Sequence, residues 1–441
     1  MPETPEPDKP VETINTTRVP QTTVVPRPRP TPTPNPTTVT PQATATTPEP
    51  TAEVPEATVE PEPTPAPTPA PVSAFVTGSA SVKLAANNSA QGKKFGTYVA
   101  IEAGTVIAGA PTDFSKGTNS GAAVVFTKAD GIWTEQAKLV GDDTGAEDLL
   151  GQAVALSGET AVLGAPGDTP IGTGSGSAYV FVRSEGVWTQ QAKLTASDAA
   201  MGDQFGQSAA ISGDTIIISA PMDDSLGGNS GSAYVFTRNG GTWTEQAKLT
   251  GSGLAMNGMF GWSVTIDGDT AAIGALGDTI NGSNSGAAYV FTRTDGVWTE
   301  QVNLTASDGT ADHNFGRSVA LSGATLAVGA PGNADKGANT GAAYVFTSSD
   351  GVWTEQAKIT ASDASTADNF GWSVSISGET LAAGAFGDAA KGLDAGSVYV
   401  YNENRTPGIP PKCAADGGKF RRVCASMTIK QTSGSSPRRW S

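Results

Sequence analysis

Residues 315–331 read Phe-Gly-Arg-Ser-Val-Ala-Leu-Ser-Gly-Ala-Thr-Leu-Ala-Val-Gly-Ala-Pro, and this pattern returns along the chain at intervals of 55 residues. The opening Phe-Gly pair, which is Leu-Gly in one copy, begins at Phe95, Leu150, Phe205, Phe260, Phe315 and Phe370. The closing Gly-Ala pair, which is Ser-Ala in one copy, begins at Gly109, Gly164, Ser219, Gly274, Gly329 and Gly384. A fixed period without insertions indicates a repeat architecture in which each copy is one structural unit.

Each copy contains four signals for short β-strands. Residues 318–321 alternate between polar and apolar in the first, and residues 215–218 form a denser apolar run in the second. Residues 343–346 place two aromatic side chains on one face of the third. Asp350-Gly351 then predicts a hairpin turn, because this dipeptide tolerates positive φ at both central positions. The fourth strand, residues 353–359, is polar and carries a lysine, which we expect to protect an outer sheet edge.

Four antiparallel strands per unit are typical of the blades of an all-β propeller. A β-solenoid is the structural alternative, although its rungs are usually shorter and lack two tight hairpins. The first three strands occur six times and the fourth occurs five times between residues 95 and 401. Residues 78–86 contain a sixth copy of the fourth strand, Ser81-Val-Lys-Leu84. We therefore predict a β-propeller of six four-stranded antiparallel blades, with this N-terminal strand closing the last blade. A seventh blade would need a repeat in residues 402–441, and none is visible there.

Composition divides the 441 residues into three parts. Residues 1–72 hold 21 of the 30 prolines and are predicted to be a disordered Pro/Thr-rich stalk or linker. Residues 78–401 form the predicted propeller, which is strongly acidic. Residues 402–441 form a basic tail of net charge +6, which we also predict to be disordered.

Charge and the rare residue types exclude several classes of function. An acidic body repels the phosphates of nucleic acid. No apolar run approaches the ~20 residues that a membrane span needs, and no signal peptide is visible in this sequence. The only cysteines are Cys413 and Cys424, either a disulfide or two free thiols, and the only histidine is His313. These are too few for a Cys/His zinc site and leave one base for a Ser-His-Asp arrangement. We expect His313 to lie in a solvated loop.

The Phe-Gly and Gly-Ala-Pro pairs resemble those of the FG-GAP repeat family, which forms the blades of integrin α-chain propellers and of many microbial surface proteins. The resemblance covers residues 78–401 and is closest to the bacterial-type repeats. It implies an extracellular or cell-surface protein, a monomeric propeller that binds a protein or glycan of a cell surface or matrix. Integrin-type Asp-x-Asp-x-Asp-Gly calcium loops are absent, because residues 157–160 and 212–214 are short turns. We therefore expect no cofactor and at most weak Ca²⁺ binding.

Long loops, such as residues 305–314 and 331–340, occupy one face of the predicted propeller, and short turns occupy the other. Binding residues usually lie on long loops held by a rigid scaffold. Two repeated sets of polar side chains are the candidate ligand contacts on this face. The first set follows the Gly-Ala pairs and contains Asp113, Asp168, Asp223, Asp278, Asn333 and Asp388. The second set contains Asp143, Asp198, Asp308 and Asp363. Turn capping by the same side chains is the alternative interpretation.

Three classes of function remain. We predict a non-catalytic adhesion or ligand-binding propeller, and a purely structural display module is the first alternative. A glycosidase-like enzyme is disfavoured, because Arg183, Arg238 and Arg293 occupy one repeat position and do not converge on a site. The tryptophans that recur at the start of the fourth strand are expected to be packing residues rather than ligand platforms, namely Trp133, Trp188, Trp243, Trp298 and Trp353.

Overall fold

The computed structural model describes residues 83–87, 93–389, 395–403 and 429–430, and within them it contains β-strands and no helix. The strands form six antiparallel sheets of four consecutive strands, which we call blades 1 to 6. The predicted six-blade, all-β propeller is thereby confirmed. The predicted stalk, residues 1–72, and nearly all of the basic tail lie outside the described residues. Among the described residues, no helix has the length and apolar character that a membrane span requires.

The strands of the first three blades are as follows. Blade 1 contains β1 (Val99–Glu102), β2 (Thr105–Ala110), β3 (Ala122–Ala129) and β4 (Ile132–Leu139). Blade 2 contains β5 (Ala153–Ser157), β6 (Thr160–Ala165), β7 (Ser177–Ser184) and β8 (Val187–Leu194). Blade 3 contains β9 (Ala209–Ser212), β10 (Thr215–Ala220), β11 (Ser232–Asn239) and β12 (Thr242–Leu249).

The remaining blades repeat this order. Blade 4 contains β13 (Phe260–Asp267), β14 (Thr270–Ala275), β15 (Ala287–Thr294) and β16 (Val297–Leu304). Blade 5 contains β17 (Ser318–Ser322), β18 (Thr325–Ala330), β19 (Ala342–Ser349) and β20 (Val352–Ile359). Blade 6 contains β21 (Phe370–Ser377), β22 (Thr380–Ala385), β23 (Ser397–Glu403) and the two-residue β24 (Ile429–Lys430).

Local sequence explains the shape of each blade. The second strand is covered on both faces, and every residue of β10 is buried, as its continuous apolar run predicts. The Asp350-Gly351 turn has φ values of 51° and 81°, so the expected hairpin with positive φ at both central positions forms. The third and fourth strands pair with one register shift, between Val235 and Phe236 in blade 3, and the shift recurs in blades 1, 2, 4 and 5.

Neighbouring blades share their apolar cores. Ile217 and Val235 of blade 3 pack in one buried cluster with Val264 and Ile266 of blade 4. The opposite face of blade 3 belongs to a second cluster, which it shares with blade 2. Glycine pairs set the closest approach between blades. A Cβ on Gly164 would lie 1.9 Å from the carbonyl oxygen of Gly206 in the next blade, so only glycine fits there.

The junction between blade 6 and blade 1 differs from the other five. Val99 and Ile101 of β1 are 66% and 72% exposed, whereas Val264 and Ile266, their counterparts in blade 4, are buried. On the other side, Val398 of β23 is 71% exposed and borders a cavity of about 380 Å³. Both apolar halves of this junction are therefore uncovered by the residues that the structure describes.

The N-terminal strand that we expected to close blade 6 is not formed by the described residues, and that part of the prediction is wrong for them. Residues 83–86 are not in a strand, and residues 78–82 lie outside the described residues. On its outer edge β23 pairs instead with β24, and only through Asn402 and Glu403. Sequence periodicity correctly identified a copy of the fourth-strand sequence. It could not show that residues 83–86 of this copy do not pair with β23.

Asn87, at the end of this N-terminal segment, nevertheless contacts blade 1 in the same way as the residues after a fourth strand contact the following blade. The backbone N–H of Asn87 donates to Glu135 at 2.6 Å. Equivalent bonds run from Ser197 to Glu245 and from Ser307 to Glu355, at the same sequence separation. The segment is therefore aligned with blade 1 in the way that each blade is aligned with its successor.

Candidate ligand-binding face

The long loops of the described blades lie on one face, which we call the long-loop face. One group of loops joins second to third strands, and the other joins the fourth strand of a blade to the first strand of the next. Gly176 and Phe205 form a β-bridge between the two groups, and four other junctions contain the same bridge. This pairing holds the loops to each other as well as to their own blades.

The first predicted set of side chains lies within these loops. Its members are buried, with exposures of 6% or less: Asp113, Asp168, Asp223, Asp278, Asn333 and Asp388. Asp223 accepts hydrogen bonds from the backbone N–H of Ser225 at 2.9 Å and from Lys248 at 2.9 Å. The Tyr234 hydroxyl lies 3.1 Å from the same carboxylate. These contacts fix the loop, in agreement with turn capping, and a direct role in ligand binding stays a prediction.

The second predicted set reaches the surface. The side chains of Asp143, Asp198 and Asp308 are 58%, 48% and 40% exposed, and Asp363 is also exposed. Asp198 receives hydrogen bonds from Tyr234 at 2.7 Å and from Lys248 at 2.6 Å. The structure therefore brings one member of each set together in blades 2, 3, 5 and 6, around a shared tyrosine hydroxyl.

Electrostatics follows from this arrangement. Burial acts to raise the pKa of Asp223, but hydrogen bonds from Ser225 and Lys248 outweigh it and lower the pKa from 3.8 to about 2. Burial acts on Asp198 in the same direction, and hydrogen bonds from Lys248 and Tyr234 again produce a lowered pKa. Both carboxylates are consequently charged at neutral pH, and Lys248 compensates part of that charge.

The lysine of the fourth strand has a role that differs from our expectation. We assigned it to protection of an outer edge, but the Lys248 side chain is only 22% exposed and forms ion pairs with Asp198 and Asp223. Lys193 does the same with Asp143 and Asp168. Sequence analysis missed this role because the lysine and its partners are separated by 25 and 50 residues.

His313 also departs from expectation, because it is buried rather than solvated, with 6% exposure. Its Nε2 lies 2.8 Å from the hydroxyl of Thr310. The equivalent positions hold Asp148, Asp203 and Asp368, and each of these accepts a hydrogen bond from a backbone N–H three residues earlier. Burial lowers the pKa of His313. His313 thus replaces a loop-fixing aspartate.

The face opposite the long loops has repeated packing contacts. Trp243 and Trp298 are buried, and the Nε1 of Trp298 donates to Gln246 of the preceding blade at 3.1 Å. Arg293 stacks over the same ring, 5.2 Å from its centroid, and pairs with Asp269 at 2.6 Å. These contacts support the packing role predicted for the tryptophans.

One symmetry-breaking surface was missed by sequence reasoning. Large apolar side chains project from the long loops at blades 2 to 4, and we call them the loop-face apolar patch: Ile171, Met201, Leu226, Met256 and Ile280, which are 69%, 73%, 52%, 65% and 49% exposed. The position of Ile171 and Leu226 holds Lys116 in blade 1 and Lys336 in blade 5. Comparison of the six units at each repeat position, rather than of their shared motifs, would have found the patch.

A second departure from symmetry lies at the start of the first strands. The residue after each Phe-Gly or Leu-Gly pair differs in most blades: Thr97, Gln152, Gln207, Trp262, Arg317 and Trp372. The guanidinium of Arg317 lies 4.0 Å from the ring centroid of Trp372 and 5.2 Å from that of Trp262. Three successive blades therefore contribute to one stack.

No metal-binding cluster of three or more His, Cys, Asp or Glu side chains occurs in the part of the chain that the structure describes. The paired aspartates of the long-loop face each have a lysine or tyrosine partner, which leaves few free oxygen ligands for a cation. The expectation of at most weak Ca²⁺ binding stays a prediction.

Comparison with known proteins adds one finding. A family model described as FG-GAP repeat matches six successive stretches, residues 79–126, 133–181, 188–236, 243–291, 298–346 and 353–401. Together the stretches cover more than half of the chain. No curated protein matches the chain significantly.

Proposed function

The chain belongs to the FG-GAP repeat family, and from this premise we propose that it is a non-catalytic ligand-binding propeller of an extracellular or cell-surface adhesion protein. The long-loop face is the binding surface, and a protein is its favoured ligand. The location rests on the family resemblance alone. A structural display module without a ligand is the alternative.

The loop-face apolar patch carries this proposal. Exposed apolar side chains also occur on the opposite face, at Val187, Val297 and Val352, but those recur at one position of the hairpin turn. The patch lies instead on the long loops, where its members do not recur in all six units, and Phe114 of blade 1 and Phe386 of blade 6 are exposed on the equivalent loops. A concentration of exposed apolar side chains on one face commonly marks a protein interaction site. Methionines suit such a site, because their flexible side chains adapt to a partner.

Rigid support below the patch favours binding. The loop that carries Leu226 is fixed by Asp223, which Tyr234 and Lys248 contact from two strands of the same blade. Such preorganisation reduces the conformational entropy that a ligand must overcome on binding. The exposed aspartates nearby, such as Asp198, add negative charge around the patch. A partner with apolar side chains and a basic rim would match both features.

Two observations support a non-catalytic role. His313, the only histidine, is buried, and its Nε2 lies against the Thr310 hydroxyl. Arg293 is held in an ion pair with Asp269, and Arg238 with Asp214. Neither side chain is free to bind a substrate carboxylate.

The experiment compares two variants of the full chain. Ile171→Ser, Leu226→Ser and Met256→Ser together remove most of the patch. Val187→Ser, Val297→Ser and Val352→Ser, at similar exposure on the opposite face, form the matched control. Adhesion of beads coated with each protein is measured on surfaces of fibronectin, collagen and mucin, and melting temperatures establish folding.

We expect the parent and the control to adhere to at least one surface and the patch variant to lose adhesion. Equal adhesion by both variants would refute the long-loop face as the binding surface. Absence of adhesion by the parent on every surface would favour the display module.

A further inference from the structure

Of the four arginines that the structure describes, Arg317 alone has no carboxylate partner among the described residues. Arg183, Arg238 and Arg293 each form an ion pair. The side chain of Arg317 forms no ion pair and no hydrogen bond among the described residues, although the residue is half-buried. A cation in such a place normally has an anionic partner, because burial without one costs free energy.

The aromatic neighbours of Arg317 hold its guanidinium in place. Trp372 lies on one side, and Trp262, from the preceding blade, provides a second ring. Trp372 is itself backed by Phe386, with ring centroids 4.3 Å apart. Cation–π stacking of this kind orients the guanidinium while its hydrogen-bond donors remain unused.

The side-chain nitrogens of Arg317 keep some contact with solvent. In the described residues, the only buried side-chain polar atoms without a hydrogen-bond partner are the hydroxyls of Ser177 and Tyr401. The unpaired nitrogens of Arg317 are therefore accessible. Burial raises the pKa of Tyr98, and the charge of Arg317 offsets part of that rise, although the two residues belong to blades 1 and 5. Side chains of non-adjacent blades thus approach each other where the first strands meet.

Neutral polar groups surround the same place. The Nε2 of Gln152 donates to the Tyr98 hydroxyl at 2.8 Å. Gln207 and Thr97 occupy the repeat position of Arg317 in blades 3 and 1. The residues named around Arg317 thus provide one charged donor, several neutral donors and acceptors, and two aromatic rings, and none of them is a carboxylate.

We propose that Arg317 anchors a carboxylate-binding site at the centre of the long-loop face, and that its ligand is an acidic sugar, free or at the end of a glycan. The guanidinium matches a carboxylate in charge and geometry. The amides and hydroxyls match the hydroxyl groups of a sugar ring. A single carboxylate suits the site better than a polyanion, because Asp143, Asp198 and Asp308 repel further negative charge. The site goes beyond the proposed function, since it does not need the loop-face apolar patch.

The test uses the full chain with glucuronate, galacturonate and N-acetylneuraminate as probes, and glucose and galactose as neutral controls. Binding is followed by calorimetry and by tryptophan fluorescence, since Trp262 and Trp372 contact Arg317. We expect one acid to bind with a dissociation constant near the millimolar range. Immobilised glycans that end in the same acid, with and without reduction of its carboxyl group, test the glycan-borne form.

Variants separate the site from general structure. Arg317→Gln should weaken binding by about tenfold or more, since a charge-assisted contact is lost. Arg317→Lys should retain part of the affinity, and Arg293→Gln, on the opposite face, should retain all of it. If Arg317→Gln fails to fold, Gln152→Leu takes its place, with an expected loss of several-fold.

Three results would overturn the proposal. The first is no binding of any acid by the parent protein, and the second is equal binding of acidic and neutral sugars. The third is Arg317-dependent binding of a glutamate-containing peptide with no binding of acidic sugars, which would assign the site to a protein ligand. Adhesion through the loop-face apolar patch is measured separately, so failure of either proposal leaves the other one open to its own test.

Discussion

The hydroxyl of Tyr234, in the third strand of blade 3, lies 2.7 Å from the carboxylate of Asp198, in the loop that enters the same blade. The same hydroxyl also lies 3.1 Å from Asp223 in the next long loop. The side chain of Tyr234 is completely buried. One hydroxyl thus connects the two loops that form the long-loop face. Lys248 contacts the same two carboxylates from the fourth strand.

Loss of this hydroxyl should destabilise the fold. We expect Tyr234→Phe to lower the free energy of unfolding by about 1–3 kcal/mol, because Asp223 remains buried with one donor fewer. Denaturant titration of both proteins measures the difference.

Tyr401→Phe is the matched control for this prediction. The Tyr401 hydroxyl is buried without a partner among the described residues, and the equivalent residue in other blades is phenylalanine. Its removal should be neutral or stabilising. An equal loss of stability in both variants would contradict the role assigned to the Tyr234 hydroxyl.

Acid should weaken the fold through the paired aspartates. The pKa of Asp223 in the folded state is about 2, below its ordinary value of 3.8. A group with a depressed folded-state pKa contributes its full stability above the ordinary value and loses it as the pH falls through the folded one. We therefore expect the melting temperature to fall as the pH drops from about 4 to about 2.

A lysine variant tests whether the ion pairs cause that decrease. Lys248→Met removes a donor from Asp198 and Asp223, so its melting temperature should change less over the same pH range. Lys94→Met, at an exposed lysine that has no ion pair among the described residues, is the control. Parallel curves for all three proteins would contradict the prediction.

His313 should make the fold sensitive to milder acid. Burial lowers its pKa below 6.5, and Asp308, Asp335 and Lys358 are the charged groups around it. Because the unfolded chain binds a proton more readily, the stability that His313 contributes is complete above pH 6.5 and decreases as the pH falls below that value. The melting temperatures of the parent and of His313→Asn should therefore converge between pH 7.5 and pH 5. A difference that stays constant would show that His313 does not titrate in this way.

The repeated tryptophans are predicted to stabilise the blades. Trp298 is buried, donates to Gln246 and stacks with Arg293, so Trp298→Ala should cost about 3–5 kcal/mol. Chemical denaturation provides the value. A variant as stable as the parent, but defective in adhesion, would instead make Trp298 a ligand contact.

Metal removal should leave the fold unchanged. No group of three or more His, Cys, Asp or Glu among the described residues has the arrangement of a cation site, and we therefore expect that Ca²⁺ does not stabilise the fold. We expect equal melting temperatures with EDTA and with millimolar Ca²⁺. A rise in the presence of Ca²⁺ would reveal a site that the sequence pattern did not predict.

Sequence periodicity predicts the local part of this fold well. The hairpin at Asp350-Gly351 and the buried strand around Ile217 follow from φ preferences and from apolar runs, which act over a few residues. The partners of Lys248 and the environment of His313 depend on loops that meet only after the blades have packed, so the sequence pattern alone did not reveal them. The loop-face apolar patch and Arg317 were not predicted for another reason. The repeat motifs describe the positions that the six units share, whereas these residues occupy positions at which the units differ.

The uncovered junction between blades 1 and 6 also has a thermodynamic consequence. Each inner blade shares buried apolar clusters with two neighbouring blades, and one such cluster contains Val235 and Ile266. The described parts of blades 1 and 6 each share a cluster with one neighbouring blade only. A linear array with nearest-neighbour coupling frays from its ends, and a closed circle does not. Amide hydrogen exchange should consequently be slowest in blades 3 and 4 and fastest around Val99 and Val398.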